Sequence, residues 1–339
     1  MLSYLQAAVI GVLQGVTELF PISSLGHSVL VPAFIGGSWQ ELVTQSSTST
    51  SESSPYLAFI VALHVATALA LIVFFRSDWL RISRGFVRTV RPTLRARRIV
   101  VSDGDERLAW LLIIATIPVG ITGLALEHTF RTLFAKPLAA AIFLTLNGFI
   151  LLAGEWLRRR APIDPADMET APASPAGGQP AVDVPPGATA SSARQRGAAT
   201  EPVLEPQSHR PVRRLATLHY LEAAVIGFFQ TFALLAGISR SGIAMVGGLA
   251  RGLSHRDAAH FSFLLATPVI LAAGVLKLPS LAGPAGAHIH GQVLVGAVLA
   301  GLASYVSVRW LTRYFETRTL IPFAIYCLVA GGVCIVRFA

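Results

Sequence analysis

Six runs of the chain stay apolar through their centres: Tyr56–Phe75, Leu108–Leu126, Leu138–Trp156, Ala258–Leu276, Val293–Leu311 and Leu320–Val336. At about 17–20 residues and about 1.5 Å per residue, each predicts a helix that crosses roughly 30 Å of hydrocarbon. Two further apolar stretches are interrupted. Leu2–Phe20 stops at Pro21-Ile22-Ser23-Ser24, and the run that follows, Leu25–Ile35, is too short to cross. A re-entrant hairpin over 2–36, entering and returning on one side, accommodates both runs, and a second is predicted over 218–253. Polar, non-helical backbone at membrane depth survives only where it is buried in protein or lines a wet cavity, so each break is where a site belongs. The pattern predicts an all-α polytopic membrane protein.

The two interrupted stretches are copies. Tyr4 to His27 (YLQAAVIGVLQGVTELFPISSLGH) aligns without a gap on Tyr220 to Ile243 (YLEAAVIGFFQTFALLAGISRSGI), with about half the positions identical. Gly11, Gln14, Ser23 and Gly26 match Gly227, Gln230, Ser239 and Gly242. Glu18, Ser24 and His27 instead face Leu234, Arg240 and Ile243. One copy carries a carboxylate, hydroxyls and an imidazole, and the other a guanidinium, as expected of a composite site at a repeat interface. Repeats of this kind in membrane folds are often inverted in topology. The organisation predicted is a first repeat over 1–157, a linker over 158–215 and a second repeat over 216–339, each repeat a hairpin plus three spans.

Composition supports the lipid setting: 53% of residues are hydrophobic and 13% charged, with a mean hydropathy of +0.61. No cleavable signal is evident at the N-terminus. The net charge of +9 is concentrated in two places. Arg76 to Arg107 carries nine arginines, and 158–214 carries Arg158, Arg159, Arg160, Arg194, Arg196, Arg210, Arg213 and Arg214. These arginines flank apolar spans without interleaved aromatics, which argues for cytoplasmic anchoring and against nucleic acid as a partner. Both basic segments then lie inside, while Ser38–Ser54, Glu127–Pro137, Pro279–Gln292 and both termini lie outside. Segment 161–210, rich in Ala, Pro, Gly, Ser and Thr, reads as a disordered cytoplasmic linker. Cys327 and Cys334, seven apart on one helix, share a face, cannot pair with each other and look like packing residues.

The chemistry sits at the breaks. Gln14 and Glu18, four apart, point the same way from a helix, and an amide oxygen with a carboxylate suits Mg²⁺ or Ca²⁺. A plain helix-end carboxylate is the structural alternative. Ser23-Ser24-Leu25-Gly26-His27 places hydroxyls at the start of the second limb, where backbone N–H groups and the positive dipole end suit phosphate. An ordinary serine cap fits the same position and is compatible with a ligand role. In Gly237-Ile238-Ser239-Arg240-Ser241-Gly242, an arginine at membrane depth needs a partner. A diphosphate clamp comes first and an ion pair with Glu18 second. His64 reads as a packed or cavity-lining histidine, His255, His260, His288 and His290 as loop or interface residues, and Asn147 as an interhelical hydrogen-bonder.

With these motifs assembled, the chain resembles the undecaprenyl-diphosphatase family, the bacitracin-resistance type of integral membrane phosphatase in bacteria. The carrying stretches are QGVTELFPISSLGH at 14–27, FIVALHVATALALIVFFRSDW at 59–79, LLIIATIPVGITGL at 111–124, and GISRSG with the residues following through 274. The resemblance implies two inverted repeats and hydrolysis of undecaprenyl diphosphate to the monophosphate and inorganic phosphate. That reaction recycles the lipid carrier for cell-wall synthesis and confers bacitracin resistance. It also implies a divalent cation, Mg²⁺ or Ca²⁺, on Gln14 and Glu18, and a site in the plasma membrane open to the outer face. Glu18, Ser24, His27 and Arg240 fall on the catalytic positions. Ser23, Gly26, Ser239, Ser241 and Gly242 join Arg240 around the substrate. The nucleophile is Ser24, with Glu18 or His27 as base, or else His27 itself. The partners implied are the polyprenyl diphosphate and the bilayer, with room for a homodimer. Gln14 departs from the commoner Glu and leaves one formal carboxylate for a metal. Leu25 and Ala244 stand where Thr is usual, and Ala236 where Pro is usual. A polyprenyl-phosphate transporter or flippase on the same inverted-repeat fold is the rival expectation.

Overall fold

The computed structural model describes residues 2–42, 55–125, 136–160, 215–277 and 289–339, and these are predominantly helical. The linker expected over 161–210, and most of the loops expected outside, lie beyond the described residues. The main helices are α1 (Tyr4–Thr17), α2 (Ser24–Ile35), α3 (Pro55–Phe74), α4 (Arg76–Ala96), α5 (Gly104–Ala125), α6 (Pro137–Arg158), α7 (Tyr220–Phe229), α8 (Arg240–Ala250), α9 (His255–Lys277), α10 (His290–Thr317) and α11 (Ile321–Phe338). A 3₁₀ turn, Gln230–Leu234, extends α7.

Six of these helices, α3, α5, α6, α9, α10 and α11, are long and apolar enough to cross a membrane, and they coincide with the six apolar runs. Large apolar side chains such as Ile121, Phe149, Leu302 and Val333 are exposed on their outer faces, as suits contact with lipid tails. The shorter helices α1, α2, α7 and α8 form the two interrupted stretches. One expectation needs correcting. The basic segment 76–107, read as a loop, is mostly the helix α4, with Ile82, Gly85 and Thr89 buried.

The two halves interlock. Helix α1 packs along α10, and α7 along α5, so each interrupted stretch rests on a span of the other half. The repeat explains how. At Gly11 a Cβ would meet the backbone of Gly296, and at its twin Gly227 a Cβ would meet the backbone of Ala115. A glycine at the same repeat position lets a helix approach a span closely in both halves. Helices α6 and α11 pair lengthwise, and α2 and α8 both lean on α6.

Helix ends are tied at two levels. At one, Gln292 Nε2 donates to Leu2 O at 3.3 Å, which puts the start of α1 beside the start of α10. Tyr56 Oη donates to Ser28 O at 3.0 Å, and Phe34 meets Phe338 edge-on. At the other level, Arg107 donates to Leu218 O at 2.9 Å and 3.2 Å, and Arg251 pairs with Glu222 at 3.8 Å. There Glu155 Oε1, at the end of α6, accepts from Leu320 N at 2.6 Å and meets His255 Nε2 at 2.8 Å. His255, expected as a loop or interface residue, is the buried first residue of α9.

Candidate active site

Both interrupted stretches unwind before their second limb. Helix α1 ends at Thr17, and α2 restarts at Ser24 with Ser23 as its cap; α8 restarts at Arg240 with Ser239 as its cap. The twin caps act alike. Ser23 Oγ accepts from Gly26 N at 3.2 Å, and Ser239 Oγ from Gly242 N at 3.1 Å. Ser23 sits at φ 71° and ψ 100°, a region that disfavours a residue with a side chain. Its Oγ also accepts from Gly237 N at 3.1 Å, so the unusual backbone is held by a bond between the two breaks.

Asn147, in the middle of α6, stitches the same breaks together. Its Nδ2 donates to Pro21 O at 3.0 Å and its Oδ1 accepts from Ser239 N at 2.9 Å. Gly26 is required by closeness: a Cβ there would stand 2.9 Å from Gly237 Cα and N. Ser241 Oγ meets Ser239 Oγ at 3.1 Å and donates to Phe20 O at 3.3 Å. A Cβ added at Gly242 would crowd Leu151 at 3.0 Å. The N-terminal ends of α2 and α8, with their free N–H groups and positive dipole ends, therefore meet in the interior.

Glu18 is the hub. Its Oε1 accepts from Arg240 Nη2 at 2.7 Å. Its Oε2 accepts from Ser24 Oγ and from Gln14 Nε2 at 3.0 Å, and lies 3.3 Å from His64 Nε2. The Glu18–Arg240 pair, the second of the sequence alternatives, is thus the contact formed. Arg240 keeps further N–H donors beyond the one spent on Glu18.

The two imidazoles take different places. His27 Nδ1 lies 2.7 Å from Ser23 O and its Nε2 lies 2.8 Å from Tyr326 Oη. Both nitrogens are spoken for, and neither meets Ser24 or Glu18. His64, read as a packed or cavity-lining histidine, is the histidine that reaches Glu18. Its Nδ1 faces Ile60 O at 2.8 Å. The ring therefore stands between the Ile60 carbonyl and the Glu18 carboxylate. The His64 side chain is 25% exposed and that of Arg240 14%, against 5% for Glu18, so the carboxylate lies deeper than the two basic side chains. The sequence signal for His64 is its lone polarity in a span.

Gln14 Oε1 is buried with no hydrogen-bond partner in the protein. One such oxygen and one carboxylate are the hard donors available, and no cluster of three His, Cys, Asp or Glu forms among the described residues. That set does not cage a metal ion. It fits a divalent cation that takes most of its ligands from phosphate oxygens, the usual habit of Mg²⁺.

The arrangement can bind an anion between two helix N-termini, beside the Arg240 guanidinium and a hydroxyl hydrogen-bonded to a carboxylate. Comparison with known proteins gives the family. An undecaprenyl-diphosphatase 2 of Frankia alni is 64% identical over 345 residues, covering 100% of this chain and 98% of the relative. An undecaprenyl-diphosphatase of Mycolicibacterium paratuberculosis is 53% identical over 338 residues, with 100% and 98% covered. One from Gluconacetobacter diazotrophicus is 39% identical, with 98% and 96% covered. The family described as bacitracin resistance protein BacA matches residues 7–333, a stretch that holds both breaks, five of the six spans and most of the sixth; the chain belongs to that family.

Proposed function

We propose that this chain is an integral membrane phosphatase that hydrolyses undecaprenyl diphosphate to undecaprenyl phosphate and inorganic phosphate, and so contributes to bacitracin resistance. The observation that carries the reading is Glu18, shared between the Ser24 hydroxyl and the Arg240 guanidinium, with His64 beside it, at the junction of two broken helices. A carrier of the lipid needs charge complementarity; it does not need a hydroxyl aimed at a buried carboxylate.

In the proposed reaction, Arg240 and the N–H groups opening α2 and α8 hold the diphosphate. The prenyl tail stays in lipid. Ser24 Oγ attacks the terminal phosphorus and passes its proton to Glu18 Oε2. The new O–P bond forms as the phosphoanhydride bond breaks, and lipid monophosphate leaves. Water then attacks the phosphoserine, releasing inorganic phosphate, and Glu18 returns the proton to Ser24. His64 positions Glu18 Oε2 and Arg240 supplies positive charge, so catalysis is mainly positioning and charge neutralisation. The serine route is preferred over direct attack by His27 because both His27 nitrogens are engaged elsewhere. Gln14 and Glu18 would hold a divalent cation, Mg²⁺ or Ca²⁺, together with diphosphate oxygens, and the cation would supply further charge neutralisation.

In the same reading the two interrupted stretches are re-entrant hairpins of opposite orientation. Support comes from where the helix ends meet. The start of α1 adjoins the start of α10, and the end of α2 adjoins the end of α11. The start of α7 adjoins the start of α5, and Arg251, just past α8, reaches back to Glu222 in α7. With α4 and its arginines on the second side, the positive-inside bias makes that side cytoplasmic and opens the first hairpin to the outside.

The test is release of inorganic phosphate from undecaprenyl or farnesyl diphosphate by the purified protein, with and without divalent cation. Ser24→Ala is expected to abolish it. No release under any cation, together with lipid movement in proteoliposomes, would favour a carrier instead.

A further inference from the structure

Helix α4 sorts its arginines by partner. Arg81 pairs with Asp78 and, at 3.4 Å, with Asp105; Arg88 pairs with Asp103 at 2.7 Å and Glu106 at 3.1 Å. Both turn toward the connection into α5. Arg84 and Arg91 are exposed and have no partner among the described residues. They share a strip with three large apolar residues. Leu80, Arg84, Val87, Arg91 and Leu94 follow one another at alternating steps of four and three, one helical face pointing away from the buried Ile82, Gly85 and Thr89. On that face Leu80 is 55% exposed, Val87 71% and Leu94 73%.

The position of α4 says what meets this face. Helix α3, a span, ends at Phe74, and α4 starts at Arg76. At its middle, Gly85 rides over the first turn of α5, the next span: a Cβ there would lie 3.1 Å from Glu106 N. Trp110 Nε1 in α5 donates to Thr89 Oγ1 at 3.0 Å, and indoles favour the level of the headgroups. The helix therefore crosses the ends of two spans at the boundary of the bilayer. A strip of exposed Leu and Val interleaved with uncommitted guanidinium groups matches that boundary: acyl chains for the former, anionic headgroups for the latter.

We infer that the outward face of α4 is a docking surface for anionic phospholipid, with Arg84 and Arg91 holding the headgroup phosphates and Leu80, Val87 and Leu94 dipping among the acyl chains. The inference is independent of the reaction chemistry, since none of these residues touches the candidate active site.

The experiment uses full-length protein in nanodiscs, with Cys334→Ala and a fluorophore on Val87→Cys. Quenching by nitroxide-labelled phosphatidylglycerol is compared with quenching by equally labelled phosphatidylcholine at equal mole fraction. Labelled phosphatidylglycerol is expected to quench at least about two-fold more strongly, a ratio that falls as salt rises. In Arg84→Gln/Arg91→Gln the ratio should drop to about one, while turnover of farnesyl diphosphate stays unchanged and certifies the fold. Quenching by neither lipid would mean that water or protein covers the face, and would overturn the inference. Equal quenching by both lipids, or a ratio that survives loss of the two arginines, would overturn headgroup recognition.

Discussion

Glu18 holds four side-chain neighbours on two oxygens, and the histidines near it have different work. His27 closes a contact with Tyr326, whereas His64 stands 3.3 Å from Glu18 Oε2. His64→Leu is expected to lower kcat/KM on the order of 10–10²-fold, less than the 10²–10³-fold lost with a donor that touches the reacting oxygen, because His64 acts through Glu18. His64→Gln, which keeps an amide donor within reach, should recover most of that loss, with the change in kcat rather than KM. His27→Ala should cost less than Ser24→Ala. Steady-state kinetics on farnesyl diphosphate decide it: His64→Leu at full kcat/KM, or His64→Gln as damaged as His64→Leu, would refute the role. Glu18, Ser24 and Arg240 could be picked out as residues because ionisable and hydroxyl groups beside Pro21 and Gly237 have no business in lipid. His64 has only its polarity within a span to mark it, since its partner Glu18 comes from another helix. Nor does anything in the structure explain Gln230, twin of Gln14, which is buried with both polar atoms lacking a protein partner.

Among the elements, the spans are readable because length and apolarity alone define them, and the six runs match the six helices to within a few residues. Helix α4 escapes a hydropathy reading because its charge density mimics a loop; the steps of four and three in its exposed residues are the periodicity that identifies it. Tertiary close approach is not written in hydropathy, but the repeat points to it. Gly11 and Gly227 are twins, and both touch backbone of the opposite half. Gly11→Ala and Gly227→Ala should each destabilise the protein by about 1–3 kcal/mol, the cost of overpacking a rigid contact. Gly120→Ala in α5 has open space around its Cβ and should be neutral or stabilising by up to about 1 kcal/mol, the helix-propensity gain. Thermal unfolding in detergent measures all three. Equal effects at Gly227 and Gly120 would mean that the α7–α5 approach is not tight.

For the whole molecule, the decisive property is which ends face which side, and the ties between helix ends constrain it more strongly than charge bias does. His260 Nε2 lies 3.3 Å from Asp78 Oδ2, so the first turns of α9 stand level with the start of α4. Helix α9 is long enough to cross, which puts the start of α10 on the far side. If α4 is cytoplasmic, as its arginines require, His290 at the start of α10 faces outward and Ser83 on α4 faces inward; both are exposed. In a Cys334→Ala background, a membrane-impermeant maleimide added to intact cells should label His290→Cys and leave Ser83→Cys unlabelled until the membrane is permeabilised. Buried Cys327 contributes no background. Labelling of Ser83→Cys in sealed cells would invert the molecule and turn the first hairpin to the cytoplasm. Labelling of both would overturn the proposed pair of oppositely oriented hairpins, since α4 and the start of α10 would then share one side.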